Sequence, residues 1–296
     1  MPSTGAQPVV EVIIVNYNAG DALTRCVQSV FAQQTPVRLI IVDNASSDDS
    51  IASLQNAIGS PENVVFIANG ENLGFAKAVN AAARNLEKAG QYLLILNPDC
   101  EMFPGSLAAL ADALDHDIGA GLAGPMVVNR ENQAMRGTLR RFPDPWSALL
   151  TFSGLWRLGR WFPSAGGVEM IDRLPSQTAP AEAVSGACML LRQSEFFRLG
   201  GMDGDYGLHC EDLDLMYRLH QQGLHCLYVP KAHVFHAQGV SSGSRPVWVH
   251  WQKHRGMQRF FQKFQAGETA LPLRWLVLTG IWLRFAVTLP AAWFRR

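Results

Sequence analysis

Tyr92-Leu93-Leu94-Ile95-Leu96-Asn97-Pro98-Asp99-Cys100 is the stretch around which the other segments fall into place. Tyr92 to Leu96 is an unbroken apolar or aromatic run, the pattern of a strand buried on both faces. It is stopped by a polar Asn and by a Pro that has no N–H to donate to a sheet ladder. Asp99 therefore falls just past a strand end. In an open parallel sheet that rim is where ligands bind, and a carboxylate there with no adjacent Lys or Arg suits a divalent cation carrying a diphosphate. The competing local reading makes Asn97 and Asp99 turn formers, or a cap ahead of Ser106 and a Leu107 to Leu114 helix.

The segments before it repeat one design. Val9 to Val15 is an apolar strand broken only by Glu11, and it ends in Asn16-Tyr17-Asn18-Ala19-Gly20, which sets Tyr17 at the rim with a ring able to stack on a base. Leu23, Cys26, Val27, Val30 and Phe31, spaced by threes and fours, predict a helix over 21–34. Val37 to Val42 is a second buried strand, followed at once by Asp43 and Asn44, a carboxylate and an amide suited to the imide edge or ribose of a nucleotide. Asp48, Asp49 and Ser50 read only as an Asx turn and N-cap for a helix over 51–58. Val64 to Ala68 is a third strand. Its following turn feeds a helix over 75–88, placing Asn72 and Lys77 where a helix N-terminus meets a strand edge, a natural seat for phosphate. Strand and helix alternate as in a doubly wound sheet, and every polar motif lands on one C-terminal rim.

Composition narrows the function classes. A chain of 296 residues, 48% hydrophobic, can bury the core of one large α/β domain or of a domain with an appendage. Zero formal net charge gives no global argument for nucleic acid. The five cysteines, Cys26, Cys100, Cys188, Cys210 and Cys226, never form a Cys-x-x-Cys pair, which points to reduced thiols in a cytosolic setting rather than a zinc cage or disulfide framework. The first residues lack the basic and then apolar pattern of a secretory signal.

After an apolar run over 119–128, the segment 129–183 changes character. Arg136, Arg140, Arg141, Arg157 and Arg160 are interleaved with Phe142, Trp146, Trp156, Trp161 and Phe162, which reads as a flap over the site or a patch on anionic lipid, against the alternative of a helix capping the core. Val184 to Arg192 is read as one strand whose small first residues would admit a sugar close to the backbone. A short helix over 194–199 leads to a helix opening at Glu211 and Asp212. The dipole at its N-terminus keeps carboxylates ionised, the state a general base requires. Asp214 and Arg218, four apart, pair structurally. Leu224 to Pro230 is the last strand; His233 reads as packing, and 237–244 as a Gly- and Ser-rich loop closing on a diphosphate.

Five blocks now stand in a recognisable order: Ile14-Val15-Asn16-Tyr17-Asn18, Val42-Asp43-Asn44-Ala45-Ser46, Asn72-Leu73-Gly74-Phe75, Leu96-Asn97-Pro98-Asp99, and Glu211-Asp212-Leu213-Asp214-Leu215 with His236. Together they resemble family-2 glycosyltransferases of the GT-A fold, most closely the bacterial rhamnosyltransferase-like branch that builds surface polysaccharides, over about residues 9–244. The resemblance implies an α/β fold with a Rossmann-like, mostly parallel central sheet and helices on both faces. It implies that Val15, Tyr17, Asp43 and Asn44 hold a pyrimidine nucleoside with Asn72, Lys77 and Asn97 nearby. Asp99 matches the second acid of the family's metal motif, whose first acid is replaced here by Asn97. His236 completes a site for Mg²⁺ or Mn²⁺, and Asp212 is the base, with Glu211 beside it. Implied partners are a nucleoside-diphosphate sugar, either deoxythymidine diphosphate-rhamnose or a UDP-sugar, and a glycan acceptor on a polyprenyl diphosphate.

The C-terminal part, 245–296, reads separately. Trp248, His250, Trp251, Lys253, His254, Arg255 and Arg259 make a basic aromatic helix, and the apolar stretch 271–294 is interrupted by Arg274 and Arg284. A mid-bilayer Arg costs at least about 2.5 kcal/mol, so the stretch is expected to lie on an anionic membrane surface, peripheral on the cytoplasmic leaflet, rather than to span it. Two rivals remain at this stage. A nucleotidyltransferase wants an N-terminal Gly-rich loop followed by a basic residue, and Asn16 to Gly20 has neither. A catalytically inactive nucleotide-sugar-binding or scaffold protein of the same fold would bind without transfer.

Overall fold

The computed structural model describes residues 10–87, 90–144, 174–237 and 245–293. The first half follows the alternation the sequence predicts: β1 (Val10–Asn16), α1 (Asp21–Phe31), β2 (Val37–Asp43), α2 (Ser50–Ile58), β3 (Val64–Ala68), α3 (Phe75–Ala83) and β4 (Tyr92–Leu96). β3, β2, β1 and β4 lie side by side in parallel, with Ile14 level with both Ile41 and Leu96. Period-two alternation in β1 divides the core. Val10, Val12 and Ile14 pack against Leu23, Cys26 and Val27 of α1 on one face, while Ile13 and Val15 meet Ala76, Val79 and Ala82 of α3 on the other. Glu11, the single charge in β1, is fully buried and pairs with Arg38 of β2 at 2.8 Å.

The second half departs from pure alternation. β5 (Cys100–Met102) follows Asp99 directly, and α4 (Ser106–His116), β6 (Ala120–Val128) and β7 (Leu139–Arg140) come next. The stretch expected as one strand over 184–192 is broken: β8 (Ala179–Ala181) and β9 (Ala183–Val184) end before Ser185, and β10 (Cys188–Arg192) begins after a three-residue gap. Then come α5 (Gln193–Arg198), α6 (Glu211–Gln221) and β11 (His225–His236), which runs beyond the expected stop at Pro230 to His236. Among the described residues nine strands form one sheet, ordered β3-β2-β1-β4-β10-β6-β11-β5 with β8 on β11, and β7 pairs with β9 apart from it. β10 runs antiparallel between β4 and β6. Its N-terminus, not its C-terminus, therefore lies at the rim where the parallel strands end.

Two further helices follow, α7 (Pro246–Phe264) and α8 (Leu271–Trp293). α7 packs on α6 and on the turn that precedes it. Phe260 joins the core beside Met216 and Leu219 of α6, Lys263 bonds Asp203 and Asp214 at 2.6 Å each, and Arg259 bonds Asp203 and Asp205. Asp214 also takes Arg218 at 2.5 Å, the i,i+4 pair expected from sequence. α8 touches α7 mainly through Val277 and Ile281, and its opposite stripe, with Leu276, Leu283 and Val287, is exposed and uncharged. α8 is 23 residues long and contains an 18-residue stretch of mean hydropathy 1.5, long and apolar enough to cross a membrane.

Candidate active site

The ends of β1 and β2 are laced by side chains. The buried Asn16 amide nitrogen lies 3.0 Å from Asp43 Oδ1, 3.0 Å from Ser46 Oγ and 2.8 Å from Ser50 Oγ, and Asn18 Oδ1 accepts the Ser47 N–H at 2.7 Å. Asp48 makes the expected Asx turn to Ser50, and it also accepts the Gly20 N–H at 2.9 Å, so it ties the two rim loops together. Val15 is buried at the end of β1, and Tyr17 stands half-buried just past it.

Asn44 takes a different part from the one expected. It is 2% exposed, its amide donates to Asn72 Oδ1 at 2.9 Å, and its oxygen accepts from Asn69 Nδ2 and from the Leu73 N–H. An amide committed in this way braces the third rim loop rather than reading a base. Asn72 accepts again from the Gly74 N–H, and Gly74, at φ 80°, takes a left-handed conformation that opens α3. Lys77, in the first turn of α3, is exposed, with its stem against Gly204.

At the end of β4, the Asn97 N–H donates to the Ala187 carbonyl at 2.9 Å, and its own carbonyl accepts from the Cys100 N–H. Asp99 is buried, and His236 Nε2 lies 3.2 Å from its Oδ1 because β11 pairs with β5 so that His236 is level with Cys100. Two ligands of one Mg²⁺ at 2.0–2.1 Å stand about 3 Å apart in octahedral geometry, so this pair is spaced to share such an ion and leaves the other positions to phosphate and water. His236 Nδ1 is buried without a hydrogen-bond partner. Cys100 also brings its sulfur within 4.8 Å of both groups, but burial, then the Asp99 charge, push its thiol well above the usual range. A neutral thiol suits a hard cation poorly. His233, three residues earlier, faces away with its ring edge on Phe103, as expected for packing.

Glu211 and Asp212 begin α6 after His209 and Cys210, both left-handed. Asp212 Oδ2 lies 2.5 Å from Arg140 Nη2, which also donates to the Val184 carbonyl. Burial pushes the Asp212 carboxyl up, but the Arg140 charge and hydrogen bond outweigh it and hold the group below the usual range. Glu211 moves the opposite way, raised by burial and then by the Asp212 charge, and its Oε2 is buried without a partner. The two carboxyls are thus shifted in opposite directions, Asp212 toward its ionised form. Asp212 also stands directly behind Gly186, where a Cβ would come within 2.3 Å of Oδ2. The small residues between β9 and β10 thus press against this carboxylate.

One run of contacts joins the two halves: Asp99 lies two residues from Asn97, Asn97 bonds Ala187, and the adjoining Gly186 abuts Asp212. The sequence reading missed Arg140 in this role. It was grouped with the other arginines of 129–183, and 72 residues separate it from Asp212, so no local spacing signals the pair. The tryptophans of that segment, Trp146, Trp156 and Trp161, and most of the loop expected over 237–244, lie outside the described residues.

A parallel half-sheet, an acid–imidazole pair at its rim and a second acid on a neighbouring helix make up the candidate site. The sequence profile of glycosyl transferase family 2 matches residues 11–165. The chain is 31% identical to N-acetylglucosaminyl-diphospho-decaprenol L-rhamnosyltransferase of Mycobacterium tuberculosis, across 93% of this chain and 91% of the relative. It is 24% identical to Rhamnosyltransferase WbbL of Escherichia coli across 77% and 83%. The mannosyltransferase PcManGT from Pyrobaculum calidifontis, solved with GDP-Man and Mn²⁺, superposes at TM-score 0.61 with 18% identity, covering 100% of this chain and 76% of that one. The chain belongs to glycosyl transferase family 2, and it is a glycosyltransferase similar to rhamnosyltransferases.

Proposed function

We propose that the protein moves a rhamnosyl group, with inversion, from deoxythymidine diphosphate-rhamnose to a sugar carried on a polyprenyl diphosphate. The observation that carries this is the Asp99–Asn97–Ala187–Gly186–Asp212 run of contacts, which brings two carboxylates to one rim, as a diphosphate anchor and a base would require. The similar M. tuberculosis enzyme, whose name specifies both rhamnose and a diphospho-decaprenol acceptor, supports the choice of sugar and acceptor. Asp43, Tyr17 and Val15 hold the nucleoside, braced by Asn44 and Asn72, and Lys77 faces the phosphates. Asn97 fixes the turn that presents Asp99.

In the transfer step Asp212 takes the proton of the acceptor hydroxyl as that oxygen bonds to the anomeric carbon. The bond from that carbon to the diphosphate breaks on the opposite side, and its electron pair leaves with the nucleotide. Asp99 and His236 would hold Mg²⁺ or Mn²⁺, which supplies positive charge to the leaving diphosphate and so favours the transition state over the ground state. Glu211, kept protonated more readily by its burial, does not compete for the proton.

The exposed, uncharged stripe of α8 supports a peripheral seat on the cytoplasmic leaflet. The Arg274 guanidinium, bonded to the Thr269 and Gly267 carbonyls, stays at the helix entrance and off that stripe. Sedimentation with anionic liposomes tests this, and a protein that ignores them refutes it.

Asp212→Asn tests the chemistry. General-base help is worth about 10²- to 10⁴-fold, so transfer should fall by that factor while metal-dependent thermal stabilisation by the nucleoside diphosphate persists. A variant that keeps most of its transfer rate rules Asp212 out as the base.

A further inference from the structure

Inside α7, a helix of 19 residues, Gly256 occupies a position that helix propensity disfavours. The chain opposite sets its place. A Cβ there would stand 2.7 Å from the His209 carbonyl oxygen and 3.3 Å from the Cys210 Cβ and Sγ, so the absence of one lets α7 close on the turn that opens α6. His209 and Cys210 are held at φ 69° and 70°, a left-handed conformation uncommon outside glycine, and Glu211 and Asp212 follow at once. Strained backbone of this kind persists only where its surroundings over-determine it. One stripe of α7 supplies those surroundings. Gln252 packs on Gly207, where a Cβ would come within 2.5 Å of its Oε1. Arg259 bonds Asp205 at 2.8 Å and lies over the Tyr206 ring at 5.3 Å, and Lys263 bonds Asp203 at 2.6 Å. Residues 252, 256, 259 and 263 are spaced by four, three and four, so they share one helix face. On its other side the same segment meets α3, with the Lys77 stem against Gly204 and the Gly207 carbonyl 3.3 Å from where a Cβ on Gly74 would stand.

We propose that α7 is the splint that presents Asp212 to the acceptor, with Gly256 and Gln252 as positioning residues that act on the carboxylate through the His209–Cys210 turn. This inference rests on the reading of Asp212 as the base. The charges that face Asp212 are Arg140 on β7, Glu211 on its own helix and His209 on the turn, and α7 contributes Lys253, whose charge acts on His209. Burial, then the Lys253 charge, hold the His209 ring down at about 4, so it adds a positive charge only at acid pH. Displacing the turn therefore draws Asp212 away from one dominant partner, the Arg140 guanidinium.

The test is Gly256→Ala in the full-length protein. Its methyl reaches an ordinary C···O separation of about 3.3 Å only if the turn or the helix gives way by roughly 0.6 Å. Transfer kcat, counted per titrated nucleotide-binding site, should fall about tenfold, and the acid limb of the pH–rate profile should move to higher pH as Asp212 leaves Arg140. A protein that was merely less well folded would lose rate without moving that limb. Gln252→Ala deletes atoms instead of adding one, and it should move kcat and limb in the same directions by a smaller step, which keeps the test open should Gly256→Ala not fold. Met257→Ala, at the neighbouring residue that packs on Phe261, Val277 and Ile281 toward α8, should lower the thermal midpoint and leave kcat and limb as they were. An unmoved limb in both Gly256→Ala and Gln252→Ala, or an equal movement in Met257→Ala, overturns the splint alone, provided Asp212→Asn is inactive. If Asp212→Asn keeps its rate, the base assignment falls and this inference with it.

Discussion

Arg140→Met should move the acid limb of the pH–rate profile. Asp212 works as a base only while ionised, and in the native protein Arg140 holds its carboxyl below the usual range against burial. With charge centres about 4 Å apart and an effective dielectric near 20, the attraction is about 4 kcal/mol, enough to outweigh burial. The Arg140 and Asp212 side chains are 17% and 15% exposed, so solvent trims this attraction without cancelling it. Without the guanidinium, burial is opposed only by the Leu213 N–H and the His209 ring, and the carboxyl rises. Activity then falls away at a higher pH than in the wild type. The assay is kcat/KM for transfer between pH 4.5 and 9, with Arg140→Lys restoring the original limb in part. An unshifted acid limb in Arg140→Met refutes the argument, whatever the absolute rate.

Three other outcomes follow from geometry. Gly186→Ala forces Asp212 from its place, because the added Cβ would lie 2.3 Å from its carboxylate oxygen; transfer should fall about 10²-fold with nucleotide binding retained, and an unimpaired rate would contradict the close approach. Asp99→Ala with His236→Ala should abolish the extra thermal stabilisation that Mn²⁺ adds to a nucleoside diphosphate, and a surviving metal-dependent shift places the ion elsewhere. Lys263→Met should cost about 1.5–3 kcal/mol in urea unfolding at pH 7, since Lys263 holds both Asp203 and the fully buried Asp214. Burial raises the Asp203 carboxyl, but Lys263 and Arg259 pull it down to about 2, so its stabilisation is complete above pH 4 and is lost as pH falls toward 2. The difference between variant and wild type should narrow over that interval, and equal urea midpoints at pH 7 would remove the ion-pair argument.

What the sequence made legible was local. A run such as Tyr92 to Leu96 ending in Asn-Pro-Asp declares a buried strand and its rim within nine residues, and the three earlier strand ends declare theirs in the same way. The Asp214–Arg218 pair was legible for the same reason, since helix geometry fixes neighbours at four residues. The approach of His236 to Asp99 had no such signal in spacing and came only from family resemblance. Arg140 beside Asp212 depends on β7 pairing with β9, two strands of two residues each, too short for any periodicity to mark. The antiparallel β10 escaped for a related reason: Val184 to Arg192 reads as one apolar strand, and the break at Ser185 to Ala187 exists because Gly186 meets Asp212 and Ala187 bonds Asn97, contacts made across the sheet. Docking of α7 was likewise hidden, because basic residues that look membrane-seeking along the chain, Arg259 and Lys263, find acids from two other segments.

The reversed direction of β10 has an evolutionary consequence. β6 ends and β10 begins on the same rim of the sheet, so the chain between Val128 and Cys188 departs from and returns to the side that carries Asp99 and Asp212. Insertions and deletions are tolerated there only outside β7, β8 and β9, because β8 pairs with β11 and Arg140 of β7 holds Asp212.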